Sequence, residues 1–349
     1  MSSVLPTESA EFADLPQPYL LFLGDVTESG FAKTAFGLRD WASERCVGQW
    51  SCGATIDTGL PTVTPGEARA MGARGLVIGV ASPGGAIPGH WIDALVEALG
   101  AGLDLVSGMH TRLSSIAPLA DAARRLGRRL IDVRVPPDGL PVGTGRPRTG
   151  RRLLTVGTDC AVGKKYTALA LAKALAAQGD AVDFRASGQT GILIAGRGVP
   201  MDAVVADFAA GAAERLSPDA PAAHWDIVEG QGSLFHPAYA GVSLALLHGT
   251  QPDAFVVCHQ PDRPHMLGYP DFALPDVADV IELTTRLGQR INPRIRCVGV
   301  AFDTSRLDAD EALARMTAER ARLGLPVADP LRGGDAFAAL VDAVRAVSP

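Results

Sequence analysis

Residues 153–165 read Leu153-Leu154-Thr155-Val156-Gly157-Thr158-Asp159-Cys160-Ala161-Val162-Gly163-Lys164-Lys165. An apolar run that suits a buried strand ends at Gly157, and an Ala/Leu-rich stretch that suits a helix follows Gly163. Strand, glycine-bearing turn and a lysine at a helix start together read as a phosphate loop. Glycines let the backbone curl so that successive N–H groups converge. The helix N-terminus adds partial positive charge, and Lys164 supplies a point charge for a phosphate oxygen.

The next position departs from the pattern. Enzymes that transfer phosphoryl groups place Ser or Thr there, and its hydroxyl ligates Mg²⁺. Here it is Lys165, whose ammonium repels the ion, and Thr167 lies too far round the helix to stand in. The expected ligand is therefore a diphosphate that is held but not cleaved, a group that coenzyme A carries. Gly157, Thr158, Asp159, Cys160, Ala161, Val162, Gly163, Lys164, Lys165, Tyr166 and Thr167 are the expected contacts. No metal site is read in the chain.

Outward from this loop, apolar runs and helical stretches alternate. Before it, strands are predicted at 19–26, 75–81, 103–107 and 129–135, with helices at 34–44, 65–73, 91–99 and 114–126. Further strands are predicted at 152–156, 181–185, 225–228, 254–258 and 295–301, with helices at 163–178, 201–216, 277–287, 308–323 and 335–347. The alternation predicts βαβ units and parallel sheets, an α/β fold. Residues 136–150 hold four prolines and four glycines, which predicts a boundary. The organisation read is an arm (1–18), an α/β domain (19–135), a linker (136–150) and a second α/β domain (151–349).

A chain of 349 residues suits about two domains. Hydrophobic residues at 47% and charged residues at 20% describe a globular protein. The net charge of −6 gives no general attraction to nucleic acid or anionic membrane. No apolar run approaches the ~20 residues of a membrane span. The five cysteines, Cys46, Cys52, Cys160, Cys258 and Cys297, show no zinc spacing. With no signal core at the N-terminus, the expectation is a reduced, cytoplasmic protein acting on a small molecule. Exposed sheet edges suggest a homo-oligomer.

A second signal is Trp225-Asp226-Ile227-Val228-Glu229-Gly230-Gln231-Gly232-Ser233, a strand ending in a carboxylate and a glycine-rich turn. Carboxyl ends of parallel strands form the ligand crevice. Glu229 is the expected general base, with Asp159 as the other catalytic candidate.

These stretches, with Arg185-Ala186-Ser187-Gly188-Gln189-Thr190-Gly191, His259-Gln260-Pro261-Asp262-Arg263 and Val327-Ala328-Asp329-Pro330-Leu331-Arg332, carry a resemblance. The chain resembles a bacterial two-domain family, formerly of unknown function, that includes a D-glutamate N-acetyltransferase; GTDCAVGKK with VEGQGS is also similar to dethiobiotin-synthetase-like proteins. The resemblance implies a Rossmann-like N-terminal domain and a P-loop NTPase-like C-terminal domain. It implies acetyl transfer from acetyl-CoA to an acidic amino acid, with D-glutamate as the substrate. The rivals are a Mg-ATP-dependent ligase or kinase and a non-catalytic nucleotide-binding protein.

An acidic amino acid needs cations, and Arg185 and Arg263 are the expected carboxylate partners. Gln189 and Thr190, in a glycine-rich turn, and Ser233 and His259 are further substrate candidates. His236 and Tyr239 read equally well as a packed loop. Asp329 to Arg332 reach adenine by analogy. Arg146, Arg148, Arg151 and Arg152 are either a solvated linker or a contact for the 3′-phosphate of CoA. Gly24-Asp25, Ser82 to Gly85 and Ser107 to His110 follow strands and suggest a rim.

Overall fold

The computed structural model describes residues 15–81 and 85–347. Residues 1–14 of the expected arm and Ser82, Pro83 and Gly84 of the expected rim lie outside the described residues. Contacts divide the described residues into two units: 15–136 together with Gln189–Pro200, and Pro137–Gly188 together with 201–347.

The first unit runs β1 (Tyr19–Phe22), α1 (Lys33–Trp41), β2 (Cys46–Trp50), α2 (Pro65–Ala70), β3 (Gly75–Ile78), α3 (Ile92–Gly100), β4 (Asp104–Ser107), α4 (Ala117–Leu126) and β5 (Leu130–Asp132). Its strands pair in parallel in the order β2-β1-β3-β4-β5. This is a doubly wound sheet whose connections reverse between β1 and β3. Tyr19 to Phe22 are fully buried, as a strand covered on both faces requires. Helix α2 starts on a capping box: Glu67 N–H donates to the Thr64 hydroxyl while the Glu67 carboxylate accepts from Thr64 N–H. At the end of β1, Asp25 accepts from Trp91 Nε1 and lies 2.9 Å from His90 Nε2.

Helix α6 (Gln189–Ala195) belongs to this unit although it comes much later in the chain. Thr190 Oγ1 lies 2.8 Å from Thr34 Oγ1, and Arg45 donates to Ile194 O at 2.8 Å. A side chain at Gly108 would collide with Gln189. The turn expected at Gln189–Thr190 is thus the first turn of a helix.

The second unit runs β6 (Arg151–Gly157), α5 (Lys164–Ala177), β7 (Val182–Arg185), α7 (Ala206–Leu216), β8 (Trp225–Val228), α8 (Ala240–Thr250), β9 (Ala254–His259), a hairpin of β10 (His265–Met266) and β11 (Tyr269–Ala273), α9 (Val277–Gly288), β12 (Arg296–Phe302), α10 (Ala309–Leu323), β13 (Val327–Ala328) and α11 (Gly334–Arg345). Six parallel strands order as β13-β12-β9-β6-β8-β7, so the strand before the phosphate loop is central. Leu153, Leu171, Leu175, Trp225, Ile227 and Val256 share the core beneath α5 and α11. Among the described residues no helix is long and apolar enough to cross a membrane.

The Pro/Gly-rich stretch before β6 is tied to this unit. Glu214 accepts from the backbone N–H groups of Thr144 and Gly145 at 2.8 and 2.7 Å. Arg148 donates to Ser217 O and Gly249 O, and Arg152 to Ser217 Oγ and Thr149 O. Arg151 lies over the Trp225 ring, and Arg146 faces Asp219. Half-buried Arg148 and buried Arg152 therefore serve the fold, satisfying carbonyls at the start of the sheet.

Candidate functional site

The site forms where β6, β8, β9 and β12 end. Five residues separate Gly157 from Gly163, one more than the four of the common loop spacing. Within this longer loop Ala161 takes φ 52° and Gly163 φ 92°. Thr158 and Asp159 are fully buried. Lys164 opens α5, and its Nζ donates to Asp159 O at 2.6 Å, across the concavity that the loop encloses. Burial pushes its ammonium pKa below the usual lysine range.

Neighbouring strand ends hold the loop. His259 Nδ1 lies 3.1 Å from Thr158 Oγ1, and its ring packs on Phe302. Arg263 Nη2 donates to Cys160 O at 2.9 Å and lies 3.6 Å from Asp159 Oδ2. That same carboxylate oxygen accepts from Leu267 N–H, in the turn between β10 and β11. His236 Nδ1 accepts from the backbone N–H groups of Ala238 and Tyr239, which leaves its proton on Nε2. That Nε2 faces Asp159 Oδ1 at 3.6 Å, with both side chains fully buried. Asp159, Cys160 and His236 offer ligand atoms within 4.8 Å of one another. The proton on Nε2, together with Lys164 and Arg263 beside the group, makes this a poor cation site.

On the other flank, Glu229 follows β8. Its Oε2 accepts from Ser187 N–H at 2.9 Å and Gly188 N–H at 3.0 Å. Burial raises its carboxyl pKa above the usual range, opposed by the charge of Lys165 and by those two amides. Gly230 N–H donates to Thr155 Oγ1, so the turn sits directly on β6. Ser233 accepts from Phe235 N–H and lines a narrow crevice with Thr155, Gly157, Leu246 and Thr284.

The expected residues therefore fall into three groups. Gly157 to Thr167, Glu229, Ser233, His259 and Arg263 converge on one crest of the second unit. Arg185 is nearby in sequence but points into the fold: its Nε donates to Asp226 at 2.7 Å and its Nη2 lies 3.1 Å from Asp183. Gln189 lies in the first unit. Sequence reading passed over Thr155, Ser187 and Leu267, which hold Gly230, Glu229 and Asp159. It left His236, which faces Asp159, as a packed loop.

The His259 contact carries a pH prediction. Burial lowers its imidazole pKa from 6.5 to about 4. The unfolded chain then binds a proton that the folded one does not, so this contribution is complete above pH 6.5 and lost as pH falls toward 4. Melting temperatures measured across that window should fall more steeply for the wild type than for His259→Asn. Parallel curves would show that His259 is not held neutral.

The chain matches the family model described as a domain of unknown function, DUF1611_N, Rossmann-like domain, over residues 44–136. It matches the DUF1611_C P-loop domain over residues 141–340. A D-glutamate N-acetyltransferase from Tritonibacter scottomollicae is 50% identical over 333 residues, 95% of this chain and 99% of that protein. A D-glutamate N-acetyltransferase from a Pseudoalteromonas species is 46% identical over 318 residues, 91% of this chain and 96% of that protein. The crystal structure of a DUF1611 family protein from Anabaena variabilis matches with a TM-score of 0.85 at 33% identity, covering 94% of this chain and 99% of that one. With both family domains matched in order and half the residues shared with a relative along nearly its whole length, the chain belongs to the DUF1611 family.

Proposed function

We propose that this protein is an N-acetyltransferase that moves the acetyl group of acetyl-CoA to the amino group of D-glutamate. The observation that carries the reading is a buried carboxylate, Glu229, one residue from the glycine that seats its turn on the strand leading into the phosphate loop. The curated names of the two relatives support the same chemistry. The loop amides, the N-terminus of α5 and Lys164 would hold the diphosphate of CoA. Lys165, at the position of the magnesium hydroxyl, suits an anion that is gripped and left intact.

In the reaction the substrate ammonium gives a proton to Glu229, and the freed nitrogen attacks the thioester carbonyl. A C–N bond forms, the C–S bond breaks, and the CoA thiolate leaves and takes up a proton. Because Glu229 lies so close to the cradle, the pantetheine arm must turn back toward β8. Arg263, which keeps Nε without a partner among the described residues, is the cation left for a substrate carboxylate; Arg185 is already committed. Ser233 and His259 line the same crest. We further read the enzyme as a cytoplasmic homo-oligomer.

Purified protein given acetyl-CoA and D-glutamate should release free thiol without any nucleotide. Lys164→Ala should raise KM for acetyl-CoA about tenfold or more, the worth of one charge-assisted contact. No thiol release with D-glutamate, together with Mg²⁺-dependent ADP formation from ATP, would overturn the assignment in favour of a ligase.

A further inference from the structure

The crest of the second unit carries charges of both signs, with Asp159 and Asp303 on the arginine flank and Lys165 acting on Glu229. On the β8 flank stand Glu229 and the polar groups around it. On the β9 and β12 flank stand Arg263 and Arg306. Residues 303–307 lie against the start of α5: a Cβ at Gly163 would sit 3.9 Å from Asp303 Cβ.

This short loop is pinned. Asp303 N–H donates to His259 O at 2.8 Å. Thr304 donates its N–H and hydroxyl to Asp329 Oδ2. Arg332 spans the loop, donating to Thr304 Oγ1 at 2.7 Å, Thr304 O at 3.1 Å and Leu307 O at 2.7 Å. Asp303 Oδ1 is taken by Ser305 N–H. Asp329 and Arg332, linked to adenine by analogy, are thus occupied in shaping the loop. Arg306 projects from it exposed, with no hydrogen bond or ion pair among the described residues. Its charge reaches Arg263 and helps to lower that guanidinium's pKa, after burial and against the opposing pull of Asp159. Asp159 and Asp303 offset the charge of Arg263, whereas Arg306 stands unpaired among the described residues, on a pinned loop at the carboxyl end of β12, beside the anion cradle, where a second anion can meet it.

We propose that Arg306 forms a second anion subsite that takes the 3′-phosphate of the CoA ribose, leaving Arg263 to the substrate carboxylate. The nucleotide end of the donor then lies over β12 and the acetyl end over β8. The subsite rests on the acetyl-CoA reading. It is an alternative to the sequence-based candidates Arg146, Arg148, Arg151 and Arg152: Arg148 and Arg152 are used within the fold, Arg151 lies over the Trp225 ring and Arg146 faces Asp219.

The test compares CoA with dephospho-CoA. Binding is measured by calorimetry, and KM is measured with the two acetylated donors, for the wild type, Arg306→Gln and Arg306→Lys. The wild type should favour the 3′-phosphorylated forms by about tenfold or more. Arg306→Gln should weaken CoA to the level of dephospho-CoA while leaving dephospho-CoA and kcat unchanged, and Arg306→Lys should keep part of the preference. Equal preference in the wild type and Arg306→Gln, or no preference in the wild type, would overturn the subsite alone. Absence of both CoA binding and thiol release would remove the acetyl-CoA reading beneath it.

Discussion

Replacing Glu229 by glutamine should lower kcat for acetyl transfer by about 10²- to 10⁴-fold, the usual worth of a positioned general base. The amide retains a carbonyl oxygen that can accept from Ser187 and Gly188 N–H, so the turn keeps its anchors while the site loses its proton acceptor. The pH profile gives the sharper reading. Burial raises the carboxyl pKa of Glu229, and a base works only when deprotonated. Activity of the wild type should therefore rise with pH through that raised value. Residual activity of Glu229→Gln should lack this acidic limb. A Glu229→Gln enzyme with near wild-type kcat, or with the same acidic limb, would move the base elsewhere, and Asp159 would be the next residue to test. Thermal melts of the variant separate loss of chemistry from loss of fold. A protonated Glu229 is favoured in the folded state, so its own contribution to stability is complete at low pH and declines as pH rises through the raised pKa.

The central strands of both sheets were legible because burial on two faces demands an unbroken apolar run. Tyr19 to Phe22 and Ala254 to Cys258 meet that demand, and Trp225 to Val228 meets it except at Asp226, whose buried carboxylate Arg185 pairs. Strand β2 was not legible. It lies at a sheet edge, and Cys46-Val-Gly-Gln-Trp50 mixes polar and apolar residues without a clear period. Helix α8 escaped because Ala240–Thr250 has no polar face to set a helical rhythm. In α6 a glycine and the apolar run Ile192-Leu193-Ile194 argue locally against a helix, and packing in the first unit overrides them. The phosphate loop and Glu229 could be seen because local spacing carries them. The partners that fix them could not. Ser187 reaches Glu229 across 42 residues and Leu267 reaches Asp159 across 108, separations that only the folded sheet closes. The same limit explains Arg185: its position at a strand end suggests a ligand contact, but Asp226 on the adjacent strand captures it.

Gly230→Ala should cost about 3 kcal/mol or more in stability, at the upper end of what forced overpacking does. A Cβ there would lie 1.7 Å from Thr155 O and 2.9 Å from Thr155 C, both main-chain atoms of the central strand, and 3.3 Å from Lys164 Cδ. No rotamer change relieves a clash with backbone. The turn has to lift away from β6, breaking the bond from Gly230 N–H to Thr155 Oγ1 and shifting Glu229 together with the lysine stem. Fold and site should therefore fail together, with a lower denaturation midpoint and weaker CoA binding in the same variant. Gly241→Ala is the matched control. That glycine is exposed in α8, and a Cβ there meets nothing within 4 Å. It should be stabilising by about 0.5–1 kcal/mol, the helical preference for alanine over glycine. A Gly230→Ala protein that unfolds at the wild-type midpoint and binds CoA normally would mean that the turn does not rest on the strand, and the placement of Glu229 beside the phosphate loop would fall with it.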